Sequence, residues 1–158
     1  MNWVNAFFGL VVIGVLSLML PEKLRAPRGI RNNNPGNIRE NERVNFAWLG
    51  EADSDFDPEF EEFKTPEAGI RAMARILNTY RQYHGLNTIE GIIGRWAPPS
   101  ENDTEMYIRS VVFHSDVPRD KPIDYQSELP AIIAAMIKHE NGIQPYPESV
   151  IERGIALA

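Results

Sequence analysis

The run of hydrophobic positions changes character at residue 21. From Trp3 to Leu20 no charged side chain occurs, and only Asn5 and Ser17 are clearly polar. At about 1.5 Å of rise per residue, such a run nearly crosses the hydrocarbon core of a bilayer. The pattern predicts one N-terminal transmembrane helix over residues 1–21. A cleaved signal peptide is the competing reading, but no basic residue precedes the apolar run and no small-x-small site precedes Pro21. The next stretch, PEKLRAPRGI, carries two prolines and four charges, which predicts an extended linker over residues 22–30. Its Lys23, Arg25 and Arg28, with Arg31, would hold that flank on the cytoplasmic side of a membrane.

Residues 31–158 read as one domain, since a single domain occupies about 100–200 residues. NNNPGN at 32–37 is a turn-rich loop, with a positive φ expected at Gly36. Asn37–Arg39, Val44–Trp48 and Phe60–Phe63 have the aromatic and β-branched content of short strands around the acidic loop Glu51–Glu59, predicting a small β-lobe.

Helical periodicity dominates the rest of the chain. Thr65, Pro66 and Glu67 form a start signal, and Ile70, Met73, Ala74, Leu77 and Tyr80 keep helical spacing towards a stop at Gly85. Thr88 caps a shorter helix bearing Ile89, Ile92, Ile93 and Trp96, which Pro98 and Pro99 end. A third begins at Asp103 or Thr104 and carries Tyr107, Val111 and His114 on one side. Ser127 precedes a fourth, striped by Leu129, Ile132, Ile133, Met136 and Ile137 and ended by Gly142. A last helix spans about Pro147 to Leu157. The expected fold is mainly α with a small β-lobe, and a groove can form between such lobes.

Composition narrows the chemistry. Hydrophobic residues make up 43% and charged residues 24% of the chain, as in an ordinary globular protein. A net charge of -6 argues against nucleic acid as a partner, because phosphate binding needs clustered lysine and arginine. The absence of cysteine excludes disulfides and thiolate nucleophiles. The three histidines, His84, His114 and His139, have no metal-ligand spacing, so neither a metal site nor another cofactor is expected.

Glu140 is the leading candidate for chemistry. It lies three, four and seven positions after Ile137, Met136 and Ile133, so the apolar face of the fourth helix runs into a carboxylate. Charged groups are seldom placed there without a partner or a task. Desolvation and the negative end of the helix favour a protonated acid, which a general acid must be to protonate a glycosidic oxygen. The competing reading is structural: a hydrogen-bond network, or a pair with an arginine such as Arg153. Glu101, with Asn102 and Thr104, sits in the loop PPSENDT, whose residues also make ordinary turns and caps. Trp48 and Trp96 can stack on sugar rings or fill a core. Glu51, Asp53, Asp55 and Asp57 offer further carboxylates or a solvated loop.

RGIRNNNPGNIR at 28–39, WLG at 48–50, FEEF at 60–63, PEAGIRAMARIL at 66–77, RWAPPSENDTEMY at 95–107 and KHENG at 138–142 resemble a family of phage and prophage muralytic or virion-structural proteins. A more distant similarity is to the cell-wall glucosaminidases of the lysozyme superfamily. There a helix ending in a glutamate motif precedes an asparagine-rich strand, a Trp-x-Gly and a tyrosine-bearing segment. Here NPGNIR, Trp48 with Gly50, Phe63 and WAPPSENDTEMY keep that order, while the glutamate helix comes last, as in a circular permutation.

The resemblance implies a lysozyme-like domain that cleaves peptidoglycan glycan strands, with Glu140 catalytic and Tyr107 lining the cleft; the residues themselves add Glu101 as a second catalytic candidate and Asn102, Thr104, Asn37, Trp48 and Trp96 as substrate contacts. With the apolar N-terminus, it implies a single-pass membrane protein held to lipid through residues 3–20, acting on the cell wall beside virion proteins. The alternative it leaves open is a non-catalytic virion membrane protein with a peptidoglycan-binding or capsid-interaction module.

Overall fold

A computed structural model describes residues 26–40, 48–53 and 56–158. Among these residues the chain forms six helices: α1 (Arg28–Arg31), α2 (Pro66–His84), α3 (Ile89–Trp96), α4 (Thr104–Ser115), α5 (Leu129–Asn141) and α6 (Glu148–Ala156). Their ends follow local chemistry. Thr65 and Thr88 accept from the backbone N–H groups of Ala68 and Gly91, and Asp103 accepts from Met106, each satisfying a first-turn donor. Gly85 and Gly142 close α2 and α5 with φ of 66° and 71°. Ser127 does not cap α5. Its hydroxyl donates to Asp124 at 2.7 Å, and Glu128 occupies the cap position.

Among the described residues a main apolar core joins the helices, and a smaller cluster of Phe63, Ala68 and Ala72 lies beside it. Ile70, Met73 and Leu77 of α2, Ile92 and Ile93 of α3, Val111 of α4 and Ile132, Ile133, Met136 and Ile137 of α5 are fully buried together. Each such side chain contributes about 1.5–3 kcal/mol relative to exposure. The most extensive packing is α2 on α6 and α4 on α5. Gly154 of α6 permits the first of these, because a Cβ there would lie 2.5 Å from Ile70 Cγ2.

The expected β-lobe is corrected. Among the described residues, β structure amounts to two isolated antiparallel bridges, Arg39 with Phe60 and Glu51 with Phe63. A ladder does not extend because an asparagine side chain takes backbone groups it would use. Asn34 Nδ2 donates to the carbonyls of Ile38 and Glu61, both at 2.9 Å, and its Oδ1 accepts from Ile38 N at 3.0 Å. Residues 44–47 of the predicted middle strand lie outside the described residues. Residues 28–30, expected as the end of an extended linker, instead form with Arg31 a helical turn that packs against α5.

The membrane expectation is corrected as well. Among the described residues no helix is long and apolar enough to cross a membrane. The longest, α2, is amphipathic and turns its apolar face onto the shared core rather than onto lipid. Residues 1–21, over which the sequence predicts a spanning helix, lie outside the described residues. Neither the membrane-spanning architecture nor the single-pass localisation is retained.

Candidate functional site

The asparagine-rich loop 32–37 is the platform of the site. Asn33 and Asn37 take the left-handed backbone, with φ of 51° and 48°, a region that asparagine tolerates better than most residues. Gly36, expected to supply the positive φ, does not. It is glycine for space, since a Cβ there would lie 2.8 Å from Met73 Cγ and 3.0 Å from Trp96 Cζ2. Each asparagine is spent differently. Asn32 donates to Asp57 at 2.8 Å, Asn33 to the Phe63 carbonyl at 2.9 Å, and the fully buried Asn34 holds the loop to itself and to Glu61.

Asn37 instead reaches the end of α5. Its Nδ2 donates to Glu140 Oε2 at 3.0 Å. The other carboxylate oxygen, Oε1, accepts from the Tyr107 hydroxyl at 2.8 Å and from Trp96 Nε1 at 3.1 Å. Donors from the loop, α3 and α4 thus converge on one carboxylate at the C-terminal turn of α5. Asn141 ties that turn down by donating to the Pro35 carbonyl at 2.8 Å. The suggested partner Arg153 lies elsewhere, paired with Glu67 at 2.9 Å.

Tyr107 is 3% exposed. Burial first, and then the neighbouring Glu140 charge, hold its hydroxyl well above the ordinary tyrosine range, so it stays protonated. Its ring stacks on His139, with centroids 3.7 Å apart and planes 19° apart. Burial pushes the His139 imidazole below its ordinary value, against the opposing pull of Glu140 and Asp103.

Glu140 faces a cleft of about 390 Å³ that Asn37, Trp96, Glu101 and Asn102 also line. Glu101 and Asn102 are exposed on a turn in which both backbone N–H groups return to the Pro98 carbonyl. Thr104 is diverted: its hydroxyl donates to the Ala97 carbonyl at 2.6 Å and closes that turn. Trp48 does not line this cleft. It packs edge-on against Phe63 and donates from Nε1 to Glu61 at 3.1 Å.

The acidic loop is occupied too. Asp53 pairs with Lys64 at 2.6 Å, Glu51 accepts from Trp48 N at 3.0 Å, Asp57 accepts from Asn32, and Asp55 lies outside the described residues. Among the described residues no group of three histidines or acids can hold a metal ion.

Three side chains in or near the site escape sequence reasoning. Arg39 and Tyr80 line the cleft. Tyr80 sits on the apolar stripe of α2, where spacing alone marks it as core; Arg39, directly after NPGNI, carries a signal only once that loop is known to form the cleft wall. Glu61 is 5% exposed. Burial, with the charges of Glu40 and Glu51, pushes its carboxyl up to about 7 against the opposing Trp48 hydrogen bond. The repeat of aromatic and acid in FEEF was the available hint, since a strand places its first glutamate inward only in one register.

No family model matches the chain. It is similar to a bacteriophage protein, "Protein P5" of Pseudoalteromonas phage PM2, at 51% identity over 137 residues, covering 86% of this chain and 85% of the relative.

Proposed function

For a chain that belongs to the family of Protein P5 of Pseudoalteromonas phage PM2, we propose glycan-strand cleavage of peptidoglycan, with Glu140 as the proton donor. The observation that carries this reading is the carboxylate of Glu140, held by Asn37, Trp96 and Tyr107 at the wall of an open cleft. A purely structural carboxylate has no need to face a cleft. Resemblance of the NPGNIR, WAPPSENDTEMY and KHENG segments to muralytic proteins supports the same substrate class.

The chemistry follows from the site. In this reading the Glu140 carboxyl gives a proton to the glycosidic oxygen as the C–O bond breaks, and the leaving sugar keeps the electron pair. The carboxylate so formed then takes a proton from the attacking hydroxyl, that of water or of the muramoyl sugar itself, and is restored. Tyr107 suits both halves of the cycle. A hydroxyl can donate to the carboxylate and accept from the acid, whereas an indole N–H can only donate. Glu101, on the exposed turn of the same cleft, serves as the second carboxylate, and Asn102 and Trp96 offer a hydrogen bond and a ring face to the sugars. Virion proteins are partners consistent with a phage family.

The test is incubation of purified walls with the full chain, scoring new reducing ends and anhydro sugars. Parental protein is expected to release one or the other. Glu140→Gln, which keeps shape and hydrogen-bonding capacity, is expected to lose about 10²–10⁴ in rate, the usual share of general acid catalysis. A large loss in Glu101→Gln with little in Glu140→Gln would reverse the two roles. Sedimentation with walls, without any cleavage, would instead assign the chain a non-catalytic wall-binding role.

A further inference from the structure

We propose that a basic groove beside the cleft binds the carboxylates of the peptide stems carried by the glycan strand. The groove, of about 430 Å³, is lined by Arg71, Arg75 and His84 of α2 and its end, and by Arg95 of α3. Ile76 and Tyr80 line both it and the cleft that Glu140 faces, so the two concavities adjoin across these side chains, with the arginines on the far side from Glu140. This inference rests on the glycan-strand reading and names the substituent that the strand must carry.

The arginines there are distinguished by what they contact. In a chain of net charge -6, Arg28, Arg109, Arg119 and Arg153 all pair with carboxylates. Among the described residues Arg71, Arg75 and Arg95 form no ion pair with an acidic side chain. Arg71 and Arg75 donate to the oxygens of Leu157 and Ala158 at 3.0 and 3.1 Å, which engages one nitrogen of each fork. The Arg95 guanidinium carbon lies 5.2 Å from the centre of the Tyr80 ring.

Guanidinium groups bind carboxylates through two parallel N–H donors, so open forks along a groove match a strand with acids at intervals. Muramoyl sugars carry such acids on their lactyl-linked peptide stems, and a glucosamine-only polymer has none. A nucleic acid or an anionic lipid also carries negative charge, but neither explains why the groove adjoins the cleft that Glu140 and Glu101 line.

The experiment compares binding of two soluble probes to the full chain: a muramoyl disaccharide bearing its peptide stem, and the same compound with the stem carboxylates amidated. Neutralising the stem carboxylates is expected to weaken binding about tenfold, the scale of one charge-assisted contact. In R71Q/R95Q the ratio of the two dissociation constants is expected to fall towards one, and in Arg95→Gln alone it should fall several-fold with folding unchanged. Arg81→Gln, on the same helix but over Tyr125, should keep the parental ratio.

Equal affinity of the parental chain for both probes would overturn the proposal, as would a carboxylate preference that survives R71Q/R95Q. Binding to phosphatidylglycerol vesicles that is lost in R71Q/R95Q, without carboxylate preference, would reassign the groove to lipid and also overturn it. The two readings fail separately. A carboxylate preference abolished by R71Q/R95Q in a chain that cleaves no walls keeps the groove and discards the enzyme. Cleavage without carboxylate preference does the reverse.

Discussion

At the residue scale, the site depends on polar side chains whose partners are fixed by burial. The Tyr107 hydroxyl has Glu140 as its partner and a ring held against His139, so Tyr107→Phe removes one hydrogen bond and little packing. Wall cleavage is expected to fall roughly tenfold, the worth of one charge-assisted bond, while the thermal midpoint moves by only a few degrees. An unchanged rate would show that Tyr107 does not serve the proton donor. Asn34→Ala should behave in the opposite way. It leaves Ile38 N–H and the Glu61 carbonyl without a partner in a fully buried place, while the Ile38 carbonyl keeps the Glu61 N–H, so chemical denaturation should report a loss on the order of 2 kcal/mol.

At the element scale, three glycines in helices give opposite answers to one substitution. Glycine to alanine in a helix interior ordinarily stabilises by about 0.8–1 kcal/mol. Gly94 of α3 has nothing within 4 Å of a built Cβ, so Gly94→Ala should follow that rule. In Gly69→Ala the new Cβ would lie 1.9 Å from the Asn33 carbonyl oxygen, and α2 would be pushed off the asparagine loop. In Gly154→Ala it would meet Ile70 Cβ and Cγ2 at 2.7 and 2.5 Å, prising α6 from α2. Both should destabilise, by about 1–3 kcal/mol, as overpacking does. Thermal unfolding of the three variants side by side measures the contrast, and an equal gain in all three would refute these contacts.

At the scale of the whole molecule, Glu61 makes stability depend on pH. Its carboxyl titrates near 7 in the folded chain against about 4.5 in the unfolded one, so the folded state holds the extra proton between those values. A raised carboxyl pKa therefore favours the folded state below about 4.5, and that advantage is lost as pH rises through 7. The melting temperature of the parental chain is expected to fall between pH 5 and 8 more than that of Glu61→Gln, which has no proton to lose. Identical slopes in the two proteins would rule out Glu61 as the titrating group.

Periodicity and caps were legible without the fold, because both are local. The stripe from Leu129 to Ile137, Thr65 and Thr88 as caps, and Gly85 and Gly142 as stops depend on neighbours within one or two turns of chain. Even the candidacy of Glu140 came from its own helix, where an apolar face meets a charge. Contacts across long stretches of sequence settled the rest. Asn37 and Glu140 are 103 positions apart, and Asn34 reaches over 27 positions to the Glu61 backbone. That reach is why the sequence reads as strands where the described residues form two bridges, and why Gly36 proves to be a matter of space. Thr104 and Trp48 look free for sugar along the chain, yet tertiary packing gives their donors to Ala97 and Glu61. Sequence by itself determined which segments could become amphipathic helices and where they stop. Only the tertiary structure decided which polar side chains face a cleft, because burial and partner are properties of the space between elements.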